Sequence, residues 1–444
     1  MTENKSWCPI PWNSVSTRLN GYFRLCSQSH ADKTTMGIFR DSNGAILNAK
    51  SASLEDARNC DLVKDVRAHM LRGELHGACY RCNQEDELGI PSRRQWSKTE
   101  VNQVTLEQCK NHTDHDGTID TSMFGIREAD IRFGNFCNIK CRSCWPGEST
   151  AWYDDWYGLG HKKFNVNPGT VHLTKGGGTK ILASGDDDFR WYEESELLSQ
   201  ISAIKTIRKI HVSGGEPVFI RKHQEFLEML VANGASSDII IDYNSNITNI
   251  PERIIHLWSG FKEIRVGASI DGVGDVNDYI RYPSRWTQIE KNYKLLATIP
   301  NCNHWVATTV MAYNIMYLPR LFDWVFSMHE MDGVHDLSHV INMHLLRQPS
   351  HLNVQIFPAE VKQEIRYHIE SWLEGISMQG LTEGVKSQLA STLRGYMRFM
   401  FAQDLSAHFQ SFVSFTKSLD GMRNERMDDM LPELAHLLRK HAYF

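Results

Sequence analysis

The sequence predicts an α/β protein on a parallel sheet, open or curled into a partial barrel, with a cysteine-rich segment before it and helices after it. Three observations lead there. From about residue 126, apolar strand-like segments alternate with helical ones through six units. Residue types that do chemistry follow several of these strand segments, at the carboxyl ends where parallel α/β folds place their sites. Residues 1–125 lack that alternation and carry Cys8, Cys26, Cys79 and Cys82 among turns.

The 444 residues suffice for two to three domains and a large buried core. A hydrophobic content of 41% with 23% charged residues marks a soluble globular chain. The net charge of -5 argues against a broad nucleic-acid-binding face, and nucleic acid is not an expected partner. No run of 18 apolar residues is present, which excludes a helical membrane span, and Met-Thr-Glu-Asn-Lys at the start lacks the apolar core of a signal peptide. The cytoplasm is the expected compartment. Ten cysteines in a reducing compartment are not expected to form disulfides, and their spacing argues for metal.

In chain order, turns are expected at Asn20-Gly21 and Asn43-Gly44, and a helix near 53–72 places Leu54, Val63, Val66 and Met70 on one side with Gly73 as its stop. The segment 109–118, with Cys109, His112, Asp114, His115 and Asp116, reads as a solvated linker between two domains. Strands are expected at 129–133, 208–213, 238–243, 263–270, 304–311 and 339–346, with helices such as 222–233 and 286–297 between them. The long connection 145–200 carries Trp152, Trp156, Trp191, the run Gly176-Gly177-Gly178 and the acidic patch Asp186-Asp187-Asp188, and has the length of a lid or binding loop. Pro358 opens a helix with Val361, Ile365, Ile369, Trp372, Leu373 and Ile376 on one face, and a second amphipathic run carries Phe409, Phe412, Val413 and Leu419. The domains expected are 1–125, 126–350 and 351–444. Cys60, Cys109 and Cys302 are expected to be structural.

Cys137, Cys141 and Cys144 form C-x3-C-x2-C directly after the first strand segment. Three thiolates at the mouth of a strand can hold a four-iron cluster by three of its irons and leave the fourth open. Zinc would need a fourth ligand, and no Cys or His follows closely. Gly214-Gly215-Glu216-Pro217 follows the second strand, Asn244-Ser245-Asn246 the third, and Ser269-Ile270-Asp271-Gly272 ends the fourth. Glycine lets a backbone approach a ligand, a carboxylate accepts from an ammonium, and the Arg281 fork suits a carboxylate. The plainer alternative for the last group is an Asp-Gly capping turn and a surface arginine.

The cysteine triplet with Gly-Gly-Glu-Pro resembles the radical S-adenosylmethionine (SAM) enzymes. That resemblance implies a partial (β/α)6 barrel, a 4Fe-4S cluster on Cys137, Cys141 and Cys144, and SAM chelating its open iron. It implies reductive cleavage to a 5'-deoxyadenosyl radical that abstracts hydrogen from substrate. It also implies cofactor contacts from Gly214, Gly215, Glu216, Asn246, Ser269, Asp271 and Arg281, and a reductant such as flavodoxin or ferredoxin. Ser143 stands where the family usually has an aromatic residue, and Trp145 follows Cys144.

The spacing Cys8-x12-Gly21-x4-Cys26, followed by Cys79-x2-Cys82, resembles the twitch module, a shortened SPASM domain that holds an auxiliary iron–sulfur cluster. The flanks Pro9-Ile10-Pro11-Trp12 and Gly89-Ile90-Pro91-Ser92-Arg93-Arg94, and Leu419-Asp420-x2-Arg423 near the end, are similar to those of twitch-bearing relatives. Four cysteines in two pairs could equally build a zinc ribbon. The activity implied is oxidation or cross-linking of a peptide or protein side chain, with a sugar- or nucleotide-type metabolite as the alternative substrate. The alternative of another class is a non-catalytic zinc-binding adaptor.

Overall fold

Strands form where the alternation places them in the computed structural model, which describes residues 4–29, 37–99, 104–160, 172–175, 181–184, 189–375 and 381–442. Strands β1 (Ser14–Thr17), β2 (Phe23–Arg24) and β3 (Glu128–Phe133) are followed by a hairpin, β4 (His172–Lys175) and β5 (Ile181–Ser184). Then come β6 (Lys209–Gly214), β7 (Ile240–Ser245), β8 (Glu263–Ser269), β9 (Cys302–Val310) and β10 (Ile341–Leu345). Helices Arg221–Ala232, Glu252–Trp258, Trp286–Leu296 and Leu318–Met328 separate the last five strands. The chain is α/β, and its strand pairings are mostly parallel. No described helix is long and apolar enough to cross a membrane.

The chain divides into two units, one of Met1–Phe136, Asp186–Tyr243 and Pro251–Arg265, the other of Cys137–Gly185, Asn244–Ile250 and Val266–Phe444. In the first unit the strand order is β7-β6-β3-β1-β2, antiparallel only between β1 and β2. The period of two divides this sheet sharply. Val15, Ala129, Ile131, Phe133, Ile210, Val212, Ile241 and Tyr243 are buried on one face. The helix Arg221–Ala232 covers that face, with Phe226 and His223 against the Phe133 ring. The opposite parity carries Ser16, Arg24, Glu128, Asp130, Lys209, His211 and Asp242.

The first 125 residues differ from the irregular region expected. They fold into helices Leu54–Arg58, Asp61–Arg72, Tyr80–Leu88, Arg93–Thr99 and Leu106–Asn111. The signals are local. Ser53 with Asp56 and Thr105 with Gln108 form capping boxes, and Gly73 and Gly89 close two helices in the left-handed conformation. The helix expected over 53–72 is two helices, broken where Cys60 caps the second. Of the solvated linker expected at 109–118, His112, Asp114, His115 and Asp116 are exposed, but the stretch lies inside the first unit and is tied into it at both ends. Cys109 is fully buried on the last of these helices, and Gly117 packs on the Lys64 carbonyl so closely that a Cβ would lie 1.9 Å from its oxygen. The boundary expected at 125 falls inside this unit, where β1 pairs with β3.

In the second unit β9 and β10 pair in parallel from Val306–Ile341 to Val310–Leu345. The C-terminal helices form as the amphipathic pattern requires: Ala359–Gly375, Glu383–Ala402 and Phe409–Arg423. Val361, Ile365, Ile369, Phe409, Phe412 and Leu419 are buried. Trp152 and Trp156 are buried here, and Trp191 is buried in the first unit. All three pack as core. The Gly176–Gly178 run, the Asp186–Asp188 patch and Ile376 lie outside the described residues.

Candidate metal centres

In the second unit, the loop after β3 presents Cys137 and Cys144 half-buried and Cys141 buried. Each side of this loop is held. Lys140 and Arg142 donate backbone N–H groups to the carbonyls of Tyr282 and Ile280, both at 2.7 Å. The Trp152 indole donates to the Cys141 carbonyl at 2.8 Å, and Ser149 Oγ donates to the Ile139 carbonyl at 2.6 Å. Two N–H donors reach the sulfurs themselves. Asn246 Nδ2 lies 3.7 Å from Cys137 Sγ, and Arg281 Nη1 lies 3.8 Å from Cys141 Sγ. A hydrogen bond from Cys144 and the Arg281 charge lower the Cys141 thiol pKa against its burial, while that bond and burial raise Cys144.

Those donors are themselves fixed. Asn246 Oδ1 accepts from the Thr248 backbone N at 3.0 Å and hydroxyl at 2.7 Å, which orients Nδ2 outward to Cys137 and Asn138. Arg281 Nε pairs with Asp271 Oδ2 at 2.9 Å. Burial opposes the Arg281 charge, and Asp271 with the cysteine sulfurs outweighs it and raises the guanidinium pKa. Asp271 Oδ1 accepts from the Thr309 backbone N at 2.8 Å and from Thr308 Oγ1 at 3.2 Å. Asp271 is 1% exposed, so its carboxylate braces Arg281 from within the fold. Ser269 is half-buried at the end of β8.

Arg142, between Cys141 and Cys144, is fully buried. Its Nη2 pairs with Asp420 Oδ1 at 2.7 Å and Glu425 Oε2 at 2.9 Å, its Nε donates to the Tyr279 carbonyl at 2.9 Å, and its guanidinium lies 3.5 Å from the Tyr279 ring centre. Lys140 and Arg423 share Asp155, at 2.6 and 2.8 Å. The helix Phe409–Arg423 and the turn after it therefore anchor the cysteine loop. Arg142 and Glu425 had no place in the reading of the sequence, because nothing local links position 142 to positions 420 and 425.

In the first unit, Gly214 and Gly215 are required by close approach. Gly214 has φ 142°, and a Cβ on Gly215 would lie 2.2 Å from the Phe136 carbonyl oxygen. Gly215 N donates to the Gly134 carbonyl at 3.0 Å and Glu216 N to the Phe136 carbonyl at 2.7 Å. The Gly-Gly-Glu turn thus fixes the three residues that lead into Cys137. Glu216 is buried.

The same unit brings Cys8, Cys26, Cys79 and Cys82 to the wall of one pocket of about 370 Å³, part of it open to solvent. They come from four places: before the helix Ile10–Asn13, after β2, and at the start and first turn of Tyr80–Leu88. Ile10, Leu25, Met70, Arg93 and Arg94 are also in the wall. Cys8 Sγ meets Ser97 Oγ at 3.2 Å, and Arg94 is held by Asp86 at 2.7 Å. Burial, then the neighbouring thiols, pushes Cys79 well up and Cys82 up to about 12.

The spread of these sulfurs tests which metal group fits. Four thiolates on one zinc, with bonds near 2.3 Å, stand roughly 3.8 Å apart. Among the described residues, the one set of three or more ligand-type side chains with donor atoms all within 4.8 Å of one another is Asp65, His69 and His76. No three of the four pocket sulfurs, and not the loop triplet, crowd to that distance. Cys141 and Cys144 are nevertheless close enough to share a hydrogen bond.

No protein-family model matches the chain, and no curated protein matches it. Among solved structures it is similar to the crystal structure of Streptococcus suis SuiB bound to precursor peptide SuiA, at 10% identity over 74% of this chain and 66% of that one, with a TM-score of 0.33. SuiB alone and SuiB bound to S-adenosylmethionine are similar at 9% identity over 74% of this chain, with TM-scores of 0.33. The chain spans 65% and 66% of the length of those two.

Proposed function

We propose that the chain is a radical SAM enzyme that oxidises or cross-links a peptide or protein side chain and carries a second, auxiliary cluster. The observation that carries this reading is the loop of Cys137, Cys141 and Cys144, with the N–H groups of Asn246 and Arg281 directed at two of its sulfurs. Hydrogen bonds to sulfur favour the anionic ligand and tune the potential of an iron–sulfur cluster. A four-iron cluster held by these three thiolates would, with SAM bound, supply a 5'-deoxyadenosyl radical for hydrogen abstraction.

The chain's own residues hold and orient. Asn246 and Arg281 set the thiolates, and Asp271 keeps Arg281 charged and aimed. Gly214 and Gly215 fix the approach to Cys137. Glu216 and Ser269 are assigned to the amino and ribose groups of SAM. Cys8, Cys26, Cys79 and Cys82 would hold the twitch-like auxiliary cluster, which supplies an acceptor for the second electron of an oxidation. No three of these four sulfurs lie within 4.8 Å of one another, wider than the thiolates of a single zinc stand.

Anaerobic reconstitution followed by metal analysis and incubation with SAM and dithionite tests the reading. About eight irons per chain and formation of 5'-deoxyadenosine are expected for two four-iron clusters. Zinc in place of iron, with no SAM cleavage, would sink it.

A further inference from the structure

The polar face of the first-unit sheet is unusual. Strands of a parallel sheet in an α/β protein are ordinarily apolar on both sides. Here the register sets Arg24, Ser16, Asp130, His211 and Asp242 side by side across β2, β1, β3, β6 and β7. One row toward the strand starts lie Glu128 and Lys209, and one row toward the strand ends lie Arg132 and Ser213. Arg24 is 1% exposed and Lys209 2%, so the charges are buried and need partners.

The two lower rows are closed. Arg24 pairs with Asp130 at 3.2 Å and donates to Ser16 Oγ at 3.1 Å, and Ser16 donates to Asp130 at 2.9 Å. Lys209 and His211 both pair with Asp242, at 3.1 and 3.5 Å. Glu128 pairs with Arg93. The top row is open. Arg132 Nε and Ser213 Oγ are both buried with no hydrogen-bond partner among the described residues, and Ser213 is 7% exposed. These two side chains are direct cross-strand partners. Two adjacent buried donors without acceptors are costly in any fold that has nothing to give them.

We propose that Arg132 and Ser213 form a carboxylate-binding site at the carboxyl ends of β3 and β6. A guanidinium edge beside a hydroxyl matches the two oxygens of one carboxylate. The closed rows beneath hold the strands in register, and Asp130, one row down, feels the Arg132 charge but is already paired with Arg24 and Ser16. Under the proposed function, on which the choice of ligands rests, two carriers share that chemistry: an acidic side chain of a peptide substrate and the methionyl carboxylate of SAM.

Binding on the anaerobically reconstituted full chain separates the sources. One arm titrates N-acetyl-glutamate N-methylamide against its glutamine counterpart, by saturation-transfer NMR. The other titrates SAM against decarboxylated SAM, by calorimetry. Arg132→Gln should weaken one carboxylate carrier roughly tenfold or more and leave its neutral counterpart unchanged. Arg132→Lys should recover part of the loss, and Ser213→Ala, which leaves the charge in place, should weaken the same carrier less. The arm that responds identifies the source. Equal affinities of wild type and Arg132→Gln for both carriers would overturn the site. Failure of the radical SAM reading has a separate signature, absence of 5'-deoxyadenosine from the wild-type sample.

Discussion

Arg142 and Asp420 stand 278 positions apart in sequence and meet at 2.7 Å, the arginine wholly buried between two of the loop cysteines. Glu425 takes the same nitrogen at 2.9 Å, and the Tyr279 ring stacks on the guanidinium. A cation so enclosed is stable only with its acids present. The last helices thereby become part of the cysteine loop's support, although they contribute no ligand to it.

Removing one acid should expose that dependence. Asp420→Ala leaves a buried guanidinium half-compensated, and breaking such a pair costs about 3 kcal/mol. The expected outcome is a fall of that order in unfolding free energy, with iron content lowered in the folded protein. Pairing it with Arg142→Met should restore more than half of the loss, as a double-mutant cycle measured by urea denaturation. Strict additivity of the two losses would contradict the coupling.

Gly215→Ala probes the stretch of chain that leads into the loop. The added methyl meets the Phe136 carbonyl, a backbone atom with no side-chain freedom to yield. Overpacking of this kind costs about 1–3 kcal/mol. It should also displace the residues before Cys137 and cut 5'-deoxyadenosine formation by roughly tenfold or more. Gly333→Ala, whose Cβ would meet nothing within 4 Å, is the control. Matching behaviour of the two variants would show that the close approach is dispensable.

Much of this arrangement is legible in the sequence, and the rest is hidden for physical reasons. The triplet Cys137, Cys141 and Cys144 is local, so spacing alone finds it. The strand segments are visible because Ile131, Val212 and Ile241 recur with the right period. The same period shows Glu128-x-Asp130-x-Arg132 and Lys209-x-His211-x-Ser213, yet an apolar reading of 129–133 and 208–213 passes over that parity. Its meaning depends on register, which sets Asp130 against His211 and Arg132 against Ser213. The helices of the first 125 residues are signalled by Ser53-x2-Asp56 and Thr105-x2-Gln108, but a two-residue cap fixes only where a helix starts, and the short helices after them have little apolar periodicity of their own. The burial of Cys109 and the meeting of Arg142 with Asp420 arise from tertiary packing, and no window of sequence contains them.

Acid should weaken the fold through buried histidines. Burial lowers His223 to about 3, and His304 and His351 each to about 4. An unfolded histidine titrates near 6.5. Between that value and the folded one, the unfolded chain holds a proton that the folded chain refuses, so stability is full above about pH 6.5 and falls as pH drops through the window. His223 alone accounts for about 2 kcal/mol lost by pH 5. His223→Gln should reduce the drop in unfolding free energy between pH 7.5 and pH 5 by about that amount. An unchanged drop would show that His223 is not the group refusing the proton.

The auxiliary pocket can be tested apart from the loop. Replacing Cys8, Cys26, Cys79 and Cys82 together with serine removes every thiol from that pocket and none from the 137–144 loop. Iron should fall from about eight to about four per chain. SAM cleavage to 5'-deoxyadenosine should persist, because the loop ligands and their Asn246 and Arg281 donors lie in the other unit. Conversion of substrate should be lost if the second cluster takes the electron that completes the oxidation. Undiminished product from the serine variant would remove that role and leave the four cysteines a structural one. An unchanged iron count would deny them a cluster altogether.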